Sequence, residues 1–226
     1  PQDLCVRAPR TALAPAPEPY QVRRMAAFSN RIVPLIIATA LLMENIDSSV
    51  LSTSLPQIAR DLGSDPIHLK LVLTTYLLAL AVFIPASGWA ADRFGARRVF
   101  CWAIVVFAAG SIACGMSQNL IELVLARALQ GIGGSMMVPV GRLIVLRATP
   151  KAGLVGAMAW LTVPALMGPV MGPPLGGYIT TYWDWRWIFW INIPIAALGM
   201  VLAGLYIPDL RESDVRSLDS LGFLLL

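Results

Sequence analysis

The sequence predicts an all-α membrane protein with six spanning helices, and three observations lead to that class. Hydrophobic residues make up 57% of the 226 and charged residues only 13%, whereas soluble domains carry roughly a quarter charged residues. Apolar runs long enough to cross a hydrocarbon core of about 30 Å as helix recur at about 31–52, 71–90, 98–117, 121–146, 153–178 and 187–207. The basic residues collect in the short segments between those runs, alternately many and few, which is the pattern of membrane topology and not of a nucleic-acid surface.

The tail and first turn carry Arg7, Arg10, Arg23, Arg24 and Arg31. The second loop adds Arg93, Arg97 and Arg98, the fourth Arg147 and Lys151, and the sixth Arg211 and Arg216. Against these twelve, the opposite side has three, Arg60, Lys70 and Arg186. The positive-inside rule then puts the N-terminus and the even-numbered loops in the cytoplasm, in a multi-pass protein of the cell's inner (plasma) membrane.

Residues 1–30 are proline-rich at the start, lack the apolar core of a signal peptide and read as a disordered cytoplasmic tail, with Met25 as the expected initiator. Residues 31–207 form the six-span bundle. Residues 208–226 read as a linker and the opening of a seventh apolar run, from Leu218 to Leu226, so the chain is expected to be a fragment. Cys5, Cys101 and Cys114 show no metal or disulfide spacing and no metal site is expected. Nucleophile-elbow, Walker, HExxH and CxxC motifs are missing from the sequence, which leaves an enzyme reading without residues to carry it.

Ionisable residues inside the apolar runs are the candidate site. Glu44 and Asp47 lie three apart in the first run, on one helical face. A charge at membrane depth costs about 2.5–3.5 kcal/mol on insertion scales, so such groups tend to border a cavity and mark an ion or substrate path. Burial of a carboxylate also favours its protonated form, which suits proton coupling; the alternative is a fixed structural pair. Arg127 in the fourth run shares a face with Gly131 and Ser135. A guanidinium keeps its proton, so it would attract anions or tune a carboxylate instead of carrying the proton. Gln130 is open between a cavity residue and a bond between helices.

Two further patterns sit at the ends and faces of the runs. GWAADRFGARR, from Gly88 to Arg98, makes a short turn in which Asp92 can latch onto a neighbouring helix end as a breakable gate. In the fifth run, GPVMGPPLGG places Gly168, Gly172 and Gly176 at i, i+4 and i+8, a stripe along which another helix can approach closely. Pro169, Pro173 and Pro174 weaken the backbone ladder there and permit bending. Trp183, Trp185, Trp187 and Trp190 read as an aromatic belt at the outer end of the sixth run.

These segments resemble the major facilitator superfamily over nearly the whole apolar portion, 31–226. Gly88, Asp92, Arg93, Gly95, Arg97 and Arg98 match its second-loop motif, G-x-x-x-D-R-x-G-x-R-R. Leu123 to Gly133, with Arg127, Gln130, Gly131 and Gly133, resembles its fourth-span motif, and Gly168, Gly172, Pro173, Gly176 and Gly177 its fifth-span antiporter motif. Asp47 followed by SLPQIARDLG, the segment WRWIFWINIP and the short linker into LDSLGFLLL look like the fourteen-span drug:proton antiporters. Two positions depart from the pattern: Ala96 stands where the loop motif has a basic residue, and SSVLSTSLP where TIVNVALP is usual.

The resemblance implies a bundle of two inverted three-helix repeats, the N-terminal half of a transporter whose second half would follow. It implies proton-coupled efflux by alternating access, without a cofactor and driven by the proton gradient. Asp47, Glu44, Arg127 and Gln130 would form the coupling and substrate cavity. The expected partners are a small-molecule substrate, protons, the lipid bilayer and the missing C-terminal half, with an efflux adaptor as an optional addition and no nucleic acid. A specific metabolite transporter and a truncated, non-transporting membrane fragment are the alternatives.

Overall fold

The structure, a computed structural model, describes residues 20–207, with side chains from Ile32 onward except that of Pro66. The helices are α1 (Tyr20–Asp61), α2 (Pro66–Phe94), α3 (Ala96–Met116), α4 (Leu120–Ala148), α5 (Leu154–Tyr182), α6 (Trp187–Trp190) and α7 (Asn192–Tyr206). Among the described residues, six segments are long and apolar enough to cross a membrane, α6 and α7 together making the sixth.

Local chemistry accounts for the helix starts and the tight turns. Asp65 caps α2, accepting from Ile67 N at 2.8 Å, and Pro66 opens the helix where a missing N–H costs nothing. Asn119 caps α4 by accepting from Glu122 N at 2.9 Å, while the Glu122 carboxylate accepts from Gln118 N, the residue before the cap, at 2.8 Å, so two backbone donors are satisfied. Between α2 and α3 stands a single residue, Gly95, at φ 94°. A Cβ is strained in that conformation, so the glycine of the loop motif is what permits so abrupt a turn.

Several helices outrun the apolar segments that announce them. The first run was expected over 31–52, but α1 continues to Asp61 through SSVLSTSLP. The hydroxyls there bond backward along the helix, Ser52 to Ser49 O at 2.7 Å and both Thr53 and Ser54 to Val50 O at 2.8 and 2.9 Å. Polar side chains therefore stay helical without unsatisfied groups. At the other end the helix reaches back to Tyr20, so positions 20–30 of the expected tail are helical backbone, in keeping with the good helix formers of QVRRMAAF. The rest of the tail and the linker at 208–226 lie outside the described residues.

The packing exchanges the two sets of three spans. α1 pairs along its length with α5, and α4 with α2; α3 lies against α4 and α7 against α1. The first span of each three-span set therefore lies on the second span of the other.

Close approach is bought with glycine. A Cβ on Gly110 of α3 would meet the Gln130 backbone of α4 at 2.7 Å, and one on Gly133 would overlap Phe107. The α5 stripe does the same against α1: Gly168, Gly172 and Gly176 are buried against Asn45, Ser49 and Thr53, and Ser49 Oγ donates to Gly168 O at 3.0 Å. Pro173 and Gly177 face outward.

Two apolar clusters fill the bundle. One gathers around Ile37, Phe100, Phe107 and Ile144, the other around Leu51, Leu69, Leu123 and Phe189. Between them lies a polar layer. The aromatic belt needs one correction: Trp183 and Trp187 are exposed and meet edge to face at 5.2 Å, but Trp185 is fully buried, with its ring 6.2 Å from Phe189. Arg186 lies over the Trp185 ring at 4.4 Å, which closes that end of the second cluster.

The glycine stripe predicts a sharp contrast within one helix. Gly172→Val places two methyl-bearing branches where Ser49 stands, an overpacking cost of at least about 1–3 kcal/mol, and should cut the monodisperse yield in size-exclusion chromatography. Gly177→Ala, with open space at its Cβ, should elute like the parent.

Candidate functional site

The polar layer is built from one side chain or more on each of five helices. α1 supplies Glu44 and Asp47, α2 Tyr76, α3 Ser111, α4 Arg127 and Gln130, and α7 Asn192, all with almost no solvent exposure. Asp47 is its hub. Arg127 Nη1 donates to Asp47 Oδ2 at 2.5 Å, while Gln130 Nε2 and Asn192 Nδ2 donate to Oδ1 at 3.0 and 2.8 Å. Arg127 Nη1 also donates to Gln130 Oε1 at 2.6 Å, and Ser111 Oγ accepts from Gln130 at 2.8 Å and from Asn192 at 3.3 Å. One carboxylate thus ties α1 to α4 and α7, and the amides that bind it also bind α3.

The guanidinium of Arg127 lies 4.3 Å from the centre of the Tyr76 ring, a cation–π contact that gains from desolvation. Its Nε and Nη2 have no hydrogen-bond partner among the described residues. The Tyr76 hydroxyl in turn donates to Glu44 Oε1 at 3.3 Å. Tyr76 therefore stands between the sealed ion pair and the second carboxylate.

Glu44 occupies a different environment from Asp47, one helical turn away. It borders a cavity of about 550 Å³ whose lining includes Leu80, Ile84, Val138, Leu143 and, toward one end, Arg142. Its Oε2 has no hydrogen-bond partner among the described residues. Of the four residues expected to share one cavity, Asp47, Arg127 and Gln130 are brought together but are closed off from it, each with no exposed surface, and Glu44 is on its wall. The difference is a matter of helix rotation, since three-residue spacing separates neighbours by about 60° around the axis.

The second-loop motif divides in the same way. Asp92 Oδ1 accepts from Arg147 Nη2 at 2.9 Å, joining the end of α2 to the last turn of α4. The pair is half exposed, which limits it to about 1 kcal/mol. Arg93, Arg97 and Arg98 form no hydrogen bond or ion pair with the described residues, and Gly88 lies exposed with open space beside it.

Three members of the polar layer were not legible as site residues: Tyr76, Ser111 and Asn192. Asn192 carried a usable signal, being an amide inside an apolar run, where an unpaired polar group is costly. Tyr76 and Ser111 are residue types common in spanning helices, and only the packing of α2 and α3 against α4 shows what they meet.

Comparison with known proteins agrees with this architecture. The family model described as Major Facilitator Superfamily matches residues 37–222. Relatives named "Putative multidrug resistance protein MdtD" from Escherichia coli K12 and Escherichia fergusonii are 46% and 45% identical over 191 residues, 84% of this chain and 40% of theirs. The chain thus spans less than half the length of the curated relatives it matches. In fold it is similar to the crystal structure of a bacterial homologue of the human lysosomal transporter Spinster, inward-facing and unoccupied, with a TM-score of 0.65 at 17% identity, covering 84% of this chain and 46% of that one.

The hub geometry orders the consequences of losing each partner. Arg127→Ala strands a buried carboxylate and should cost about 3–5 kcal/mol, whereas Asn192→Ala removes one of three donors and should cost about 1–3 kcal/mol. Thermal unfolding of the two variants in detergent, followed by tryptophan fluorescence, should show the larger drop for Arg127→Ala.

Proposed function

The chain belongs to the Major Facilitator Superfamily, and from that premise we propose that it forms the N-terminal bundle of a proton-coupled efflux transporter working by alternating access. The observation that carries this reading is the Asp47 hub: a carboxylate at the middle of the bundle, held by donors from α4 and α7. An ionised carboxylate accepts at both oxygens, whereas a protonated one gives up part of that capacity and its charge. Protonation of Asp47 therefore weakens the Arg127 pair and the amide bonds together, loosening α1 from α4 and α7 in one step.

In the cycle we propose, substrate binds the inward-facing cavity while Asp47 is ionised, and protonation from the outer side resets the emptied carrier. Glu44, on the cavity wall, meets substrate, and Tyr76 couples the two carboxylates through its contacts with Glu44 and Arg127. The Asp92–Arg147 pair closes the cytoplasmic end and breaks as the helices part. The α5 glycine stripe is the surface on which α1 and α5 shift.

The rest of the longer protein supplies the second bundle, against which this one rocks. The distribution of arginine supports an inner-membrane location with a cytoplasmic N-terminus. The similarity to proteins named for multidrug resistance supports small-molecule export over uptake. The gradient suffices energetically: one charge moved through 100 mV yields about 2.3 kcal/mol, which supports roughly fortyfold accumulation.

The test is proton flux in proteoliposomes containing the full-length protein, challenged with lipophilic cations and small organic anions. Asp47→Asn should abolish substrate-dependent proton movement, while Glu44→Gln should alter which compounds elicit it. Proton-linked transport that survives Asp47→Asn would remove Asp47 from the coupling role.

A further inference from the structure

The Asp92 latch uses Arg147 and leaves three arginines of the second loop without a partner among the described residues. Arg93 and Arg98 are exposed and Arg97 half-buried, all at the junction of α2 and α3. One turn further along α3, Trp102 is 68% exposed, on the same face as Arg98. An indole at this depth beside cations marks the membrane–water interface.

Trp102 and Arg98 also form a shared wall between two grooves. The first, about 570 Å³, runs between α2, α3 and α4, with Arg93 and Arg98 at one end and Val99, Val106, Ile132 and Met136 along it. The second, about 400 Å³, runs between α3 and α7 from Arg97 and Arg98 past Cys101 and Val105 to Met200. It continues through Val105 and Met200 into a further apolar furrow reaching Ile112 and Ile193. From Arg97 to Ile112 the helix rises about 22 Å, more than the depth of one leaflet of a hydrocarbon core about 30 Å thick.

We propose that this corner of the bundle binds one anionic diacyl phospholipid, with its phosphate among Arg93, Arg97 and Arg98 and one acyl chain in each groove beside Trp102. The chemistry fits at both ends. Guanidinium groups offer forked donors to phosphate oxygens, and basic pockets between spanning helices are sites for anionic headgroups. The grooves are apolar along their length and carry their charge at one end, as an amphiphile with two tails requires. The nearby carboxylate, Asp92, is already engaged by Arg147 and so does not repel the phosphate at full strength. A bound lipid would bridge α2, α3 and α7 beside the latch.

The experiment is native mass spectrometry of the purified full-length protein in mild detergent, titrated with phosphatidylglycerol or with phosphatidylcholine of the same chains. The parent should retain phosphatidylglycerol at roughly tenfold lower lipid concentration, a preference that three favourable charges can supply. Arg93→Gln/Arg97→Gln/Arg98→Gln should lose it, Arg98→Lys should keep it, and Trp102→Ala should weaken retention of both lipids. Short-chain phosphatidylglycerol should bind weakly and glycerol phosphate should not compete.

Equal retention of the two lipids by the parent, or a preference that persists in the triple variant, would overturn the proposal. So would glycerol phosphate competing as well as the long-chain lipid, which would make the site one for a small anion. A photo-crosslinker at position 102 that captures another part of the full-length chain in place of lipid would likewise defeat it. Size-exclusion profiles identify variants that fail to fold, and Arg98→Lys keeps the comparison valid if they do. The readout involves no transport, so its failure leaves the proposed function standing, and a failure of transport leaves the lipid site testable.

Discussion

The ion pair between Asp47 and Arg127 is the constraint around which the bundle is arranged. Two charges taken out of water are tolerated when each is paired and hydrogen-bonded, and here the partners must come from several helices at once. Arg127 and Gln130 lie one turn apart on α4 and approach the carboxylate from one side, and Asn192 of α7 approaches from another. That requirement fixes the rotation of α1, α4 and α7 about their axes more tightly than apolar packing between them would. The apolar clusters on either side of the layer then follow, because the residues before and after the polar ones face the same neighbours.

Glycine supplies the proximity that this arrangement needs. The backbones of α3 and α4 touch at Gly110 and Gly133, and those of α1 and α5 along Gly168, Gly172 and Gly176. Close backbone approach brings Ser111 to Gln130 and Asn192.

Two carboxylates three positions apart meet different environments. Asp47 is fully satisfied and shut away, and Glu44 has one oxygen held by Tyr76 and the other facing an apolar cavity. Arg127 stacks on the same Tyr76 ring, so one aromatic side chain touches both the cavity-wall carboxylate and the ion pair. The second loop shows a parallel contrast, one acid paired with Arg147 and three arginines without a partner among the described residues.

The sequence alone determined the class of protein, the six spans found among the described residues and the positions where ionisable residues interrupt the apolar runs. Those follow from residue type, because the bilayer demands about 20 apolar residues per helix and penalises every exception. Asp47, Glu44 and Arg127 stand out in a string of letters for that reason, and Asp92 as the acid in a turn of arginines. The helix ends were less legible: hydroxyl groups bonding backward let α1 run through SSVLSTSLP to Asp61, and Trp185 turned inward although its composition read as belt. What only the tertiary structure decided was who meets whom. Nothing in the spacing of residues 47, 111, 127 and 192 says that they converge, nor that Glu44 faces a cavity while Asp47 does not, because those facts depend on the relative rotation and approach of helices far apart in the chain.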